Sequence, residues 1–226
     1  LRVIFAELCQ EVGLPPGVFN LVTGDGSTGA ALVKHPDISK IAFTGSTGVG
    51  KYIQKETADR DIGLTLELGG KAANIVFNDA AIDQAVEGVV NGIFFNQGHV
   101  CCAGSRLVLQ EDIHDEFVTK LEKRMQSLRV GNPLDKNTDI GAINSKDQLD
   151  KITSLVNEGV EEGGTIFQTD CELPQNGFWF KPTLFTNAQP SYRISREEIF
   201  GPVLTTLTFR TPEEAIEISN NTEYGL

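Results

Sequence analysis

Apolar positions along the chain recur with two periods, one near 3.6 residues and one of 2, and their alternation predicts an α/β fold. Val3, Ile4, Leu8 and Val12 have helical spacing, and Gly13 followed by Pro15 supplies the stop. Val18–Val22 reads as a short strand bounded by glycine, and Lys40–Thr44 as a second. Leu64, Leu66 and Leu68 alternate with Thr65 and Glu67, which places the leucines on one strand face and Glu67 on the other. That strand stops at Gly69-Gly70, where the domain boundary is placed: residues 1–69 form one unit and residues 70–226 another. Beyond it, Ala72–Phe77 and Arg106–Leu109 read as strands, Ile82–Phe95 and Ile113–Leu128 as helices, and Val203 opens a further strand. Ser145-Lys146-Asp147-Gln148 and Thr211-Pro212-Glu213-Glu214 match capping boxes, the first opening a helix to about Gly163 and the second one reaching Asn220. There is no internal repeat and no low-complexity tract.

Composition narrows the function classes. Lys and Arg total 19 against 31 Asp and Glu, a net charge of -12. So acidic a chain argues against nucleic-acid and anionic-membrane partners, because neutralising phosphate needs clustered cations. No apolar run approaches the ~18 residues a membrane span needs, and no signal peptide is visible. A soluble, cytoplasmic location is the default expectation, with a targeting segment upstream left open. The chain starts at Leu1 and its only methionine is Met125, so a processed chain or a piece of one is expected. Four cysteines, two of them adjacent, do not form an extracellular disulfide framework.

Two glycine loops have the composition of phosphate sites. Gly24-Asp25-Gly26-Ser27-Thr28-Gly29 fits the dinucleotide pattern or a plain strand-to-helix turn. Gly45-Ser46-Thr47-Gly48-Val49-Gly50-Lys51 follows a strand and precedes a polar helix, whose N-terminal amides favour anions. It nearly spells a magnesium-nucleotide loop, but Tyr52 stands where a Ser or Thr should ligate the metal. Cys101 and Cys102 sit at a glycine-flanked helix-to-loop junction, a setting for a nucleophilic thiol, whereas Cys9 and Cys171 read as small hydrophobes. His99 beside them could suggest zinc, but no second Cys/His cluster completes a site, and no metal is expected. Glu67, near the carboxyl end of its strand, is either a general base or an exposed strand glutamate. Glu197-Glu198-Ile199-Phe200-Gly201-Pro202 is either a ligand contact or a loop.

Phe43-Thr44-Gly45-Ser46-Thr47, Leu66 to Lys71, Asn96-Gln97-Gly98 through Cys101 to Arg106, and Glu197 to Pro202 occur in that order. Together they closely resemble the NAD(P)-dependent aldehyde dehydrogenase superfamily, and the likeness runs the length of the chain. It implies part of a Rossmann-type cofactor domain followed by an incomplete α/β catalytic domain, the middle and later part of an enzyme about twice this long. It also implies Cys101 as nucleophile, with Cys102 a variable neighbour, and Glu67 as general base. The cofactor, NAD or NADP, would be held by Gly45, Ser46, Thr47, Gly48, Val49, Gly50, Leu68 and, at the adenine end, Gly24. Glu198 would hold the nicotinamide ribose, with Phe200 packed beside it. His99 departs from a commoner Gln, from which a local packing difference is expected. The partner implied is a small aldehyde, oxidised to an acid through a thioester that water hydrolyses, and the full-length protein is expected to be a homodimer or homotetramer. Two alternatives stand beside this: a catalytically inactive fragment, and a degenerate member with a structural or binding role.

Overall fold

The computed structural model describes residues 1–226, and its contacts divide them into two compact units, Leu1–Leu68 and Gly69–Leu226. The first contains helices α1 (Arg2–Glu11) and α2 (Gly26–Lys34), strand β1 (Lys40–Thr44), helix α3 (Thr47–Glu56) and strand β2 (Gly63–Glu67). β1 and β2 pair in parallel, with Thr44 opposite Glu67, and α3 is the crossover such a pair requires. Burial alternates along both strands: Ile41, Phe43, Leu64 and Leu66 are half-buried, Thr65 and Glu67 exposed. Gly50 of α3 lies close under Leu68: a Cβ there would stand 2.4 Å from a Leu68 methyl, which would have to move aside.

Val18–Val22 does not form the expected strand. Its bonds are local: the Val18 amide donates to Pro15 O at 3.2 Å, and Asn20 Nδ2 donates to Gly17 O at 2.9 Å. Val18 and Val22 are exposed, and a strand without a ladder partner leaves its backbone groups to turns and water.

The second unit runs β3 (Ala73–Val76), α4 (Ile82–Phe94), β4 (Arg106–Gln110), α5 (His114–Met125), α6 (Lys146–Glu161), β5 (Thr165–Gln168), β6 (Thr183–Thr186), α7 (Arg193–Arg196), β7 (Val203–Phe209) and α8 (Pro212–Asn220). One sheet has the order β3-β4-β7-β6-β5. All neighbours are parallel except β5, which lies antiparallel to β6 at the edge. The central strands β4 and β7 are buried at nearly every position, as expected of parallel strands covered on both faces. On one face Leu107, Leu109, Leu184 and Leu204 pack with Val89, Ile93, Phe117 and Leu121 of α4 and α5. On the other, Phe185, Val203 and Leu207 pack with Ile152, Leu155 and Ile194. Leu184 and Phe185, adjacent in sequence, fall on opposite faces, the period of 2 made visible.

Both capping boxes open helices, and both use their hydroxyl: Ser145 Oγ accepts from the Gln148 amide at 3.2 Å, and Thr211 Oγ1 from the Glu214 amide at 3.3 Å. Each such cap contributes about 1 kcal/mol. The reciprocal half of the first box is missing, because the Gln148 side chain reaches elsewhere. No helix is long and apolar enough to cross a membrane.

Candidate active site

The two glycine loops of the first unit differ in electrostatics. Asp25 caps α2: its carboxylate accepts from Ser27 Oγ at 2.6 Å and from the Ser27 amide at 2.9 Å. The Ser27 bonds hold the Asp25 carboxyl below the usual carboxylate range, so a negative charge already sits at that helix end and repels phosphate. α3 is capped by the neutral Ser46, whose Oγ accepts from the Val49 amide at a long 3.4 Å, and its first turn holds no acid. Of the two, only the α3 end keeps a positive dipole terminus with no acid on it; space is open at both, since a Cβ on Gly26, Gly29 or Gly48 would meet nothing within 4 Å. Gly45 ties this turn to the strand end, its amide donating to Glu67 O at 3.0 Å. Between α2, α3 and β1 lies a groove of about 520 Å³, lined by Gly26, Gly29, Val33, Ile41, Val49 and Ile53. Gly24 packs against Thr28, where a Cβ would stand 2.0 Å from Oγ1. Glu67 ends β2 with its side chain on the exposed face.

In the second unit the thiol turn is built by breaking a helix. α4 gives way to a short 3-10 turn, Phe95–Gly98, in which Asn96 (φ 49), Gln97 (φ 47) and Gly98 (φ 75) are all left-handed. Non-glycine residues in that region cost about 1–3 kcal/mol each unless the surroundings enforce them. Asn96 Nδ2 donates to His99 O at 3.2 Å, and Gly98 lies so close to the next loop that a Cβ would stand 2.1 Å from Gly201 O. The reversal delivers Cys101, half-buried, and Cys102, exposed. The turn rests on the glycine pair after Glu67: a Cβ on Gly70 would stand 2.4 Å from Cys101 O.

The same glycine pair receives Glu198. Its Oε1 accepts from the Gly70 amide at 3.1 Å, and a Cβ on Gly69 would stand 2.4 Å from Oε2. The Glu198 amide in turn donates to Tyr224 Oη at 3.3 Å. Phe200 is left-handed (φ 55), and its ring stacks on His99 at 5.1 Å with planes 5° apart. Thus the Cys101 turn and Glu198, nearly a hundred positions apart, converge on Gly69-Gly70, while Phe200 packs on His99 of the thiol turn.

The aldehyde dehydrogenase family model matches residues 1–226. The chain belongs to the aldehyde dehydrogenase family. It is 46% identical over 223 residues to an aldehyde dehydrogenase of Emericella nidulans, covering 98% of this chain and 45% of that protein. An aldehyde dehydrogenase of Alternaria alternata is also 46% identical, over 99% of this chain and 45% of its own length. The NAD-dependent aldehyde dehydrogenase of Sinorhizobium meliloti superposes with a TM-score of 0.96 at 40% identity, covering 100% of this chain and 45% of that one. Betaine aldehyde dehydrogenase of Staphylococcus aureus, in complex with NAD+, gives 0.95 at 39% identity, covering 46% of its chain. The chain therefore spans under half the length of the relatives it matches.

Three side chains that sequence reasoning did not single out, Arg106 and Lys71 buried and Gln148 half-buried, lie under this candidate site. Arg106 donates from Nε to Lys71 O at 2.8 Å and from its two other nitrogens to Ile218 O at 2.8 Å and Ser219 O at 2.7 Å. It thereby ties β4 to the residue after the glycine pair and to the C-terminal carbonyls of α8, where a cation suits the helix dipole. Lys71 is fully buried and its Nζ has no hydrogen-bond partner. Burial, with the Arg106 guanidinium next, pushes its ammonium down to about 7, while Glu198 pulls the other way. Gln148 Nε2 donates to Ile199 O at 2.8 Å and Phe200 O at 3.1 Å. Its position in a capping box masked it, because the amide that should cap the helix holds the Phe200 loop.

Proposed function

We propose that these residues serve in an aldehyde dehydrogenase of the relatives' length, which oxidises an aldehyde to a carboxylic acid with NAD or NADP. The observation that carries the reading is the convergence of the Cys101 turn and the Glu198 carboxylate on Gly70. In this reading the Cys101 thiolate adds to the aldehyde carbon, and backbone N–H groups of its turn stabilise the oxyanion of the thiohemiacetal. The nicotinamide, when bound, supplies the hydride acceptor. Departure of hydride leaves a thioester on Cys101. Glu67 takes a proton from water, the resulting hydroxide attacks the thioester carbonyl, and the acid leaves as the thiolate returns. A general base at this position favours water over a thiol such as coenzyme A as the acyl acceptor.

Each unit, taken by itself, offers groups suited to part of a dinucleotide. Ser46 and the first amides of α3 would hold the pyrophosphate, the apolar groove between α2 and α3 the adenine, and Glu198 the nicotinamide ribose. A cytoplasmic homodimer or homotetramer is the setting proposed. Residues 1–226 alone are proposed to be inactive, since the match covers 45% of the relatives and α1 buries none of its own residues. Absorbance in the nicotinamide band with a panel of aldehydes tests both statements. The full-length protein is expected to reduce NAD or NADP and residues 1–226 are not; a full-length protein inert with every aldehyde would refute the reading.

A further inference from the structure

The structure gives the His99 ring a stacking partner, Phe200, that an aliphatic or amide side chain could not engage in the same way. Phe200 is restrained twice. Gln148 holds the carbonyls of Ile199 and Phe200, which orients the peptide planes of a left-handed residue but leaves the side-chain torsions free. The ring itself is met by His99, parallel within 5° at 5.1 Å between centroids, in the offset arrangement favourable to aromatic pairs. Gly98, where a Cβ would stand 2.1 Å from Gly201 O, allows the two loops to approach this closely. The His99 Nε2 is buried without a partner, so the ring is placed for stacking rather than for hydrogen bonding at that atom. Burial also favours the neutral ring, which brings no charge into the stack.

We propose that His99 is a positioning residue whose ring locks Phe200, and through it the Glu198–Gly201 loop, in the geometry that receives the nicotinamide end of the cofactor. The inference rests on the dehydrogenase reading above. It assigns His99 to cofactor binding and leaves the thiol chemistry two residues away untouched.

Steady-state kinetics of the full-length enzyme test it, with the melting temperature of each variant measured alongside. His99→Leu, which keeps bulk and loses the ring, should raise KM for the dinucleotide about fivefold with kcat within about twofold. His99→Phe should restore KM to within about twofold of the parent. In a Phe200→Leu background, His99→Leu should add nothing further, because the stack is already gone. His99→Gln makes the same test if the Leu variant does not fold. Equal KM for the Leu and Phe variants, or losses at the two positions that multiply, would overturn the proposal. A parent enzyme without aldehyde-dependent reduction of NAD or NADP would instead overturn the dehydrogenase reading.

Discussion

In the first unit the groups offered to a ligand are largely backbone: the amides opening α3, the glycines of two loops and a shallow apolar groove. Its strands are half-buried at best. In the second unit the groups are side chains, and each has a buried support. Arg106 spans three carbonyls, Gln148 holds two more, and Glu198 lies on a glycine pair of which Gly70 has no room for a Cβ against the Cys101 backbone. The difference matches the chemistry proposed for each. Binding a phosphate needs amides and a dipole, which any helix start supplies if no acid occupies it. A nucleophile and a ribose-holding carboxylate must be placed within a fraction of an ångström, which requires locked rotamers. Substitutions in the second unit should therefore cost more than those in the first, Glu67 being the exception.

Glu67→Gln tests that exception. It should lower kcat of the full-length enzyme about 10³-fold, the range of a lost general base, with KM for the dinucleotide little changed. Loss confined to KM would make Glu67 a binding residue and erase the asymmetry. Arg106→Met comes next. Carbonyls of Lys71, Ile218 and Ser219 lose their donors, at about 1 kcal/mol or more each, so urea denaturation should show a loss of about 3 kcal/mol. An unchanged midpoint would mean that the crosspiece does not bear on stability.

Lys71 should behave in the opposite direction. Unfolded, its ammonium titrates near 10.5; folded, near 7. Between those values the unfolded chain binds more protons, so stability should rise with pH across the window, and the whole penalty is present below pH 7. Lys71→Met, of similar volume, should stabilise the protein by about 1–4 kcal/mol below pH 7. It should also flatten the rise between about 7 and 10.5. Destabilisation by Met would show that the ammonium has a partner the fold depends on. The smallest effect belongs to the first unit: Ser46→Ala removes a cap worth about 1 kcal/mol and should raise KM for the dinucleotide severalfold at unchanged kcat. A larger loss than at Arg106 would invert the comparison.

The sheet strands with a period of 2 and the amphipathic helices were legible, because burial on one face writes itself into the order of residues. Lys40–Thr44 and the helices after Ser145 and Thr211 are of that kind, whereas Arg106–Leu109, buried on both faces, shows as a short apolar run. β5, β6 and α7 were not legible: four residues give a period little room to show, and of the four-residue elements only β3 was read. Val18–Val22 misled because its composition suits a strand while nothing pairs with it. For the candidate site, the order of motifs pointed to Cys101, Glu67 and Glu198, whereas Arg106, Lys71 and Gln148 act across 35 to 113 positions. No local pattern carries such contacts. The buried lysine in particular looks, in sequence, like the solvated end of a strand.

The central claim is that Cys101, and not its neighbour Cys102, carries the acyl group. Acid quenching of the full-length enzyme during turnover, followed by peptide mass mapping, tests it directly. The predicted result is one acyl adduct on Cys101 and none on Cys102, with both adduct and reduced nicotinamide abolished by Cys101→Ala. An adduct on Cys102, or turnover that survives in the Cys101→Ala enzyme, would contradict it.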